Sequence, residues 1–157
     1  ADIRRIIYDL RPMTLDDLGF VPTLERYLRH IQEISNIPVH FNYLGGGERI
    51  DSTYEVAVFR IVQEAVQNAV KHSKASDIRI IIEQYQHSVR IHVKDNGVGF
   101  DFDSIVASCD ESFGLVGMRE RIELIDGEFE IETQPGKGTV IKVKIPIEES
   151  EARGETL

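Results

Sequence analysis

Apolar residues recur along this chain with two spacings, one near 3.6 and one of 2, and each spacing predicts its own kind of element. Ile3, Ile6, Ile7 and Leu10 fall at helical spacing until Pro12 stops the pattern, so residues 2–11 read as the tail of a helix whose beginning lies upstream. Thr14 and Asp17 mark a second helix start, followed by a stripe of Leu18, Val21, Leu24, Leu28, Ile31 and Ile34 to about Asn36, with Pro38 as the stop. Val39, Phe41 and Tyr43 alternate as a short strand, and Gly45-Gly46-Gly47 forms a loop. Ser52-Thr53-Tyr54-Glu55 fits a capping box with Ser52 at the cap. The helix it opens runs to about His72 and buries Val58, Ile61, Val62, Ala65 and Ala69.

Period 2 then returns in strands over residues 78–84 and 89–94. Residues 100–113 are acidic and without clear period, and read as a mobile loop or lid. A helix is predicted over Leu115 to Ile125, closed by Asp126-Gly127 with the glycine as left-handed terminator. Two last strands cover 128–133 and 139–147, and the charged tail after Glu148 is expected to fray. Each of these four strands has one apolar face and one charged face. Ile78, Ile80 and Ile82 form the apolar face of the first. Val89, Ile91 and Val93 oppose Arg90, His92 and Lys94. Phe129 and Ile131 oppose Glu128, Glu130 and Glu132, and Ile141, Val143 and Ile145 oppose Lys142 and Lys144. A sheet with one wet face is mostly antiparallel, with its helices on the other face. The fold expected is therefore α+β: a two-layer α/β sandwich with the acidic strand beside a basic one.

Composition narrows the functions. The 157 residues suit one domain, and 41% apolar residues suffice for a core. A formal net charge of −9 argues against nucleic acid as partner, because phosphate-backbone binding rests on clustered Lys and Arg. It leaves a nucleotide ligand open. The single cysteine, Cys109, excludes an internal disulfide framework and reads as a bystander in a reducing compartment. No run is long enough for a membrane helix and no signal peptide opens the chain, so a cytoplasmic domain without membrane contact is expected.

Four stretches could carry chemistry. Asp95-Asn96-Gly97-Val98-Gly99 ends an apolar strand in an acceptor-only carboxylate, suited to an exocyclic amine, followed by two glycines that permit close backbone approach. Alone it reads equally as a hairpin turn. Glu64, Asn68 and His72 recur every four residues on one helix stripe with Lys71 beside it: a carboxylate base, an amide oxygen for a hard cation, and cations near phosphates. Alone, such a stripe is an ordinary solvated helix face. Gly114-Leu115-Val116-Gly117-Met118 opens a helix, where free N–H groups form an anion site, or is simply a hinge. Gly136-Lys137-Gly138-Thr139 reads as a hairpin turn, or as a close approach that brings the Thr139 hydroxyl near Asp95.

In this order and spacing the four stretches closely resemble the N, G1, G2 and G3 boxes of the GHKL ATPases, the superfamily of histidine kinases, gyrase, Hsp90 and MutL, over about residues 37–147. Gly117-Met118-Arg119-Glu120-Arg121 and the opening Asp9-Leu10-Arg11-Pro12 narrow the resemblance to sensor histidine kinases that partner NarL-type response regulators. The resemblance implies the Bergerat (GHKL) fold and ATP with Mg²⁺ as cofactors. It implies that Asn68 ligates Mg²⁺, that Glu64 is the base activating the attacking histidine, and that Lys71 and His72 lie near the phosphates. Asp95 would bind the adenine amino group, with Gly97 and Gly99 admitting the base and Thr139 supporting it. Gly114, Leu115, Gly117 and Met118 would present backbone to the phosphates, and residues 100–113 would be the ATP lid.

The implied organisation is the end of the dimerisation and phosphoacceptor helix in 1–13, the catalytic ATP-binding domain in 14–148 and a frayed tail in 149–157. None of His30, His40, His72, His87 and His92 stands in the setting of the phosphoacceptor, which in this family is followed by an acid on the preceding helix. The chain is therefore expected to phosphorylate a histidine supplied by its own dimerisation domain, which lies outside this sequence. Two rival readings are a GHKL anti-sigma serine kinase or hydrolase, and a non-catalytic nucleotide-gated docking domain.

Overall fold

The computed structural model describes residues 19–45, 51–72, 74–99 and 115–147. The predicted helix tail in 2–11, the lid in 100–113 and the charged C-terminal tail lie outside the described residues.

The first described helix, α1, covers Phe20–Ser35. It begins later than Thr14, because Gly19, at φ 88 and ψ 166, sits outside helical geometry as the N-cap. The Thr23 hydroxyl donates to the Gly19 carbonyl at 2.7 Å. The buried stripe is Phe20, Thr23, Leu24, Tyr27, Leu28 and Ile31. Ile34, expected to join it, stays 61% exposed. Asn36 closes the helix in the left-handed region at φ 60, its N–H on the Gln32 carbonyl at 2.9 Å. The Gln32 side chain then accepts from Val39 N–H at 2.8 Å, tying the helix end into strand β1, Val39–Leu44.

Helix α2, Ser52–His72, matches its predicted span, but its cap is one residue earlier than expected. Asp51 takes the role: its Oδ1 accepts from Thr53 N–H at 2.8 Å, and its carbonyl accepts from Tyr54 and Glu55 N–H. Glu55, the acid expected to complete a capping box, is buried. The buried face adds Phe59, Gln63 and Val66 to the predicted stripe. Phe59 packs on Tyr27 of α1 with ring centroids 5.5 Å apart.

Strands β2 (Ile78–Gln84), β3 (Ser88–Asp95), β4 (Glu128–Thr133) and β5 (Thr139–Pro146) complete a five-stranded sheet ordered β1-β2-β3-β5-β4. The β1–β2 pair, joined through α2, is parallel, and the other pairs are antiparallel. Burial alternates along β2 as far as Ile82 and throughout β3 and β5, and the buried row joins the helices in one core. The opposite face carries the charges. There β4 lies beside β5 with Glu128 opposite Lys144 and Glu130 opposite Lys142. Lys142 Nζ also reaches Glu132 Oε2 at 2.5 Å. This is the expected two-layer sandwich with the acidic strand at the edge, where charge discourages edge-to-edge pairing.

Helix α3, Leu115–Leu124, packs over β4. Among its described side chains only Met118 and Ile122 are buried, while Leu124 is 83% exposed. Its terminator differs from expectation. The left-handed residue is Asp126, at φ 60, and not Gly127. Gly127 is required by packing instead: a Cβ there would stand 2.7 Å from Ile122 Cγ2 and 3.0 Å from the Lys144 carbonyl oxygen.

Candidate functional site

The buried row of β3 runs Val89, Ile91, Val93 and then Asp95. Strict alternation thus carries a carboxylate to the helix-covered face at the end of the strand, where it is 7% exposed. In register with it stand Ile78 at the start of β2 and Thr139 at the start of β5, both buried. A carboxylate placed among such neighbours is unfavourable unless donors satisfy its oxygens. The Gly97 N–H supplies part of that, donating to Asp95 Oδ1 at 2.8 Å. The Thr139 hydroxyl pairs with Thr133 Oγ1 at 2.9 Å, and Thr133 Oγ1 lies 3.2 Å from the Gly138 carbonyl.

The stretch from Asp95 to Gly99 is not a hairpin turn, since β3 is flanked in the sheet by β2 and β5, and α3 and β4 lie between β3 and β5 along the chain. Asn96, for which the sequence suggested only a turn, is a clamp. Its Oδ1 accepts from Ser76 and Asp77 N–H, and its Nδ2 donates to Ser76 Oγ, each at 2.9 Å. These bonds fasten the approach to β2 onto the end of β3. Asp77 in turn meets His40 Nε2 at 2.9 Å and Arg79 Nε at 3.0 Å. The hydrogen bond from Arg79, with a smaller one from His40, holds the Asp77 carboxyl below its usual range.

The glycine stretches divide by what surrounds them. Gly99 has φ 68, and a Cβ on it would overlap the Gln134 carbonyl oxygen. Gly138 has φ 76, and a Cβ there would overlap the Asp95 carbonyl oxygen. The Gly136 N–H donates to the Val98 carbonyl. The 134–138 turn is therefore both the β4–β5 hairpin connection and a backbone-to-backbone seam against the Asp95 loop. Gly136 itself, at φ 83, faces open space. So does Gly117, which has neither positive φ nor any atom within 4 Å of an added Cβ. Nothing among the described residues calls for a glycine at position 117, and a glycine in a helix is unfavourable relative to alanine.

On α2, which lies over β2 and β3, Glu64 is 31% exposed in its side chain and Asn68 is half-buried. The Asn68 Nδ2 is buried and has no hydrogen-bond partner. Lys71 is exposed, and His72 is the last residue of the helix. Across from α2, Arg121 Nη2 on α3 stands 4.0 Å from Glu64 Oε2. Arg121 lies one helical repeat after Gly117 and so shares its face, a spacing present in the sequence but given no role there. Met118 is wholly buried, so any contribution from it beyond the core is through its backbone. Gly114 lies outside the described residues. At the far end of α2 the Tyr43 hydroxyl donates to Gln84 Oε1, and burial, with Glu55 nearby, pushes the Tyr43 phenol above its usual range. Among the described residues no cluster of three His, Cys, Asp or Glu forms a metal cage.

Residues 53–149 match the family model described as histidine kinase-, DNA gyrase B-, and HSP90-like ATPase. The chain is 48% identical over 147 residues to the signal transduction histidine-protein kinase/phosphatase DegS of Brevibacillus brevis, an alignment covering 94% of this chain and 37% of that protein. To DegS of Bacillus subtilis it is 45% identical over 140 residues, covering 87% and 36% respectively. It thus spans little more than a third of the curated relatives it matches. In three dimensions it resembles the histidine kinase domain of the Erythrobacter litoralis blue-light activated histidine kinase, with TM-score 0.62 and 17% identity over 82% of this chain and 61% of that one. It also resembles the catalytic domain of histidine kinase ThkA, with TM-score 0.60 and 19% identity over 82% and 90%. With its family model spanning both the α2 stripe and the Asp95 strand, the chain belongs to the histidine kinase-, DNA gyrase B- and HSP90-like ATPases.

Proposed function

We propose that this chain is the catalytic ATP-binding domain of a cytoplasmic two-component sensor histidine kinase. It would transfer the ATP γ-phosphoryl group to a histidine of its own dimerisation domain, and thence to an aspartate of a NarL-type response regulator. The observation that carries the reading is Asp95: a nearly buried carboxylate that closes an apolar row at the mouth of the sheet, with Thr139 in register beside it. An acceptor-only group that is nearly buried suits the amino group of a purine. Gly97 and Gly99 shape the loop that carries it, and Thr139 supports the base from β5. The kinship with DegS favours a histidine acceptor over the serine of an anti-sigma kinase.

The rest of the cleft handles the phosphates. The Asn68 amide, with its buried end unpartnered in the protein, is available to a ligand. Turned so that its oxygen faces the cleft, it fits Mg²⁺, which takes few protein ligands and fills its sphere with phosphate and water oxygens. Bound there, Mg²⁺ would neutralise charge on the transferring group. Lys71 and His72 at the end of α2 add positive charge. The backbone of Leu115, Gly117 and Met118 presents N–H groups at the start of α3, and Gly114 would add its own to the same phosphates. In the transfer, the bond from the γ-phosphorus to the bridging oxygen breaks, a nitrogen–phosphorus bond forms on the imidazole, and ADP leaves. Glu64 accepts the proton of the other imidazole nitrogen, raising the nucleophilicity of the attacking one.

Titration of Mg-ADP and a non-hydrolysable ATP analogue tests the pocket. The unsubstituted chain should bind both, and Asp95→Asn, which presents a donor amide to the amino group, should lower affinity by roughly a hundredfold with the fold intact. Normal binding by Asp95→Asn would remove the adenine assignment.

A further inference from the structure

We infer that Arg121 is a sensor of the terminal phosphate, held by Glu64 when the cleft is empty and handed to the γ-phosphate when ATP enters. The inference rests on the ATP reading of the cleft and assigns this arginine a part in it. Three observations carry it. First, Arg121 Nη2 lies 4.0 Å from Glu64 Oε2, an ion contact beyond hydrogen-bonding distance. The two side chains are 51% and 31% exposed, so the pairing is weak and readily exchanged. Second, it spans from α3 to α2, elements that otherwise pack on different strands, α3 on β4 and α2 on β2 and β3. Third, among the described residues no atom lies within 4 Å of a Cβ placed on Gly117, one helical repeat before Arg121. Arg121 therefore borders, among the described residues, open space on one side and the proposed base on the other.

A guanidinium matches carboxylate and phosphate in geometry, but a phosphate oxyanion group carries more charge. Left facing an empty cleft, Arg121 neutralises Glu64. With a γ-phosphate in the volume beside Gly117, the stronger anion takes the guanidinium. The move releases the Glu64 carboxylate for the incoming imidazole at the moment the transferable group is present. ADP, one phosphate shorter, leaves the pair closed. The same arrangement screens the polyanion from the negative charge of Glu64, which would otherwise oppose ATP more than ADP.

Calorimetric titration of the chain with Mg-ADP and the non-hydrolysable Mg-ATP analogue decides it, with thermal unfolding to confirm that each variant is folded. Arg121→Ala should lower the affinity for the analogue by about tenfold while changing that for ADP less than about twofold. Arg121→Lys, keeping charge without the fork, should restore part of the difference. Glu64→Gln, removing the competing carboxylate, should tighten the analogue selectively. An unchanged ratio of analogue to ADP affinity in Arg121→Ala, or an equal loss for both nucleotides, would overturn the sensor role and leave the pocket standing. Failure of the unsubstituted chain to bind either nucleotide would overturn the pocket and the sensor together.

Discussion

Gly99 and Gly117 both stand in glycine motifs, yet different things demand them. At Gly99 the demand is internal, since φ is positive and the Gln134 carbonyl occupies the space a Cβ would need. Gly99→Ala should therefore destabilise the fold by about 2–4 kcal/mol, read by denaturant unfolding. At Gly117 nothing among the described residues opposes a methyl group. Gly117→Ala should leave stability unchanged or raise it by up to about 1 kcal/mol, while weakening the phosphate-dependent part of nucleotide binding. Equal nucleotide affinity in Gly117→Ala would show that the open space beside α3 is not used. Asp95 was readable from sequence at this scale, because its place in the apolar row follows from side-chain alternation alone. The contact that explains Gly99 was not, because Gln134 comes from a distant hairpin.

At the scale of elements, spans follow the periodicity closely and ends do not. α2 ran as expected from Ser52 to His72, yet Asp51 caps it. Ser52 and Asp51 are both good capping residues, and the sequence offers no way to choose between them. Asp51→Ala should lower stability by about 1 kcal/mol, measured from the unfolding midpoint, through loss of the bond to Thr53 N–H and of a negative charge at the helix start. The end of α3 shows the same limit. Glycine is the ordinary left-handed residue, but here Asp126 takes that conformation and Gly127 lets the turn press against Ile122 and β5. With only Met118 and Ile122 buried among its described side chains, α3 is the lightly anchored element bordering the cleft. That suits an element whose Arg121 exchanges partners.

Over the whole molecule, the Asp77 knot joins strands that are far apart in sequence. Asp77 links the start of β2 to His40 of β1, and Arg79 holds its carboxyl below the ordinary value of 3.8. A carboxyl depressed in the folded state binds its proton more weakly there than when unfolded. The stability it contributes is therefore present above the unfolded value and fades as pH falls below about 3.8 through the depressed one. Asp77→Asn should flatten that acid limb of the stability curve, read as unfolding midpoints between about pH 5 and pH 3, with little change in shape near neutrality. An acid limb identical to that of the unsubstituted chain would show that the knot is not maintained in solution.

By itself, the sequence determined the elements, the one-faced sheet, the acidic strand beside a basic one, and four motifs in an order that marks the ATPase family. Each depends on spacings of a few residues, where backbone geometry alone decides which side chains share a face. Only the tertiary structure decided the strand order β1-β2-β3-β5-β4, the seam between the Asp95 loop and the 134–138 turn, and the meeting of Arg121 with Glu64. Those are distances between segments whose separation along the chain says nothing of their separation in space. They arise when the apolar faces of α1, α2, α3 and the sheet are buried together in one core, and the positions of the loops and exposed side chains follow from that packing.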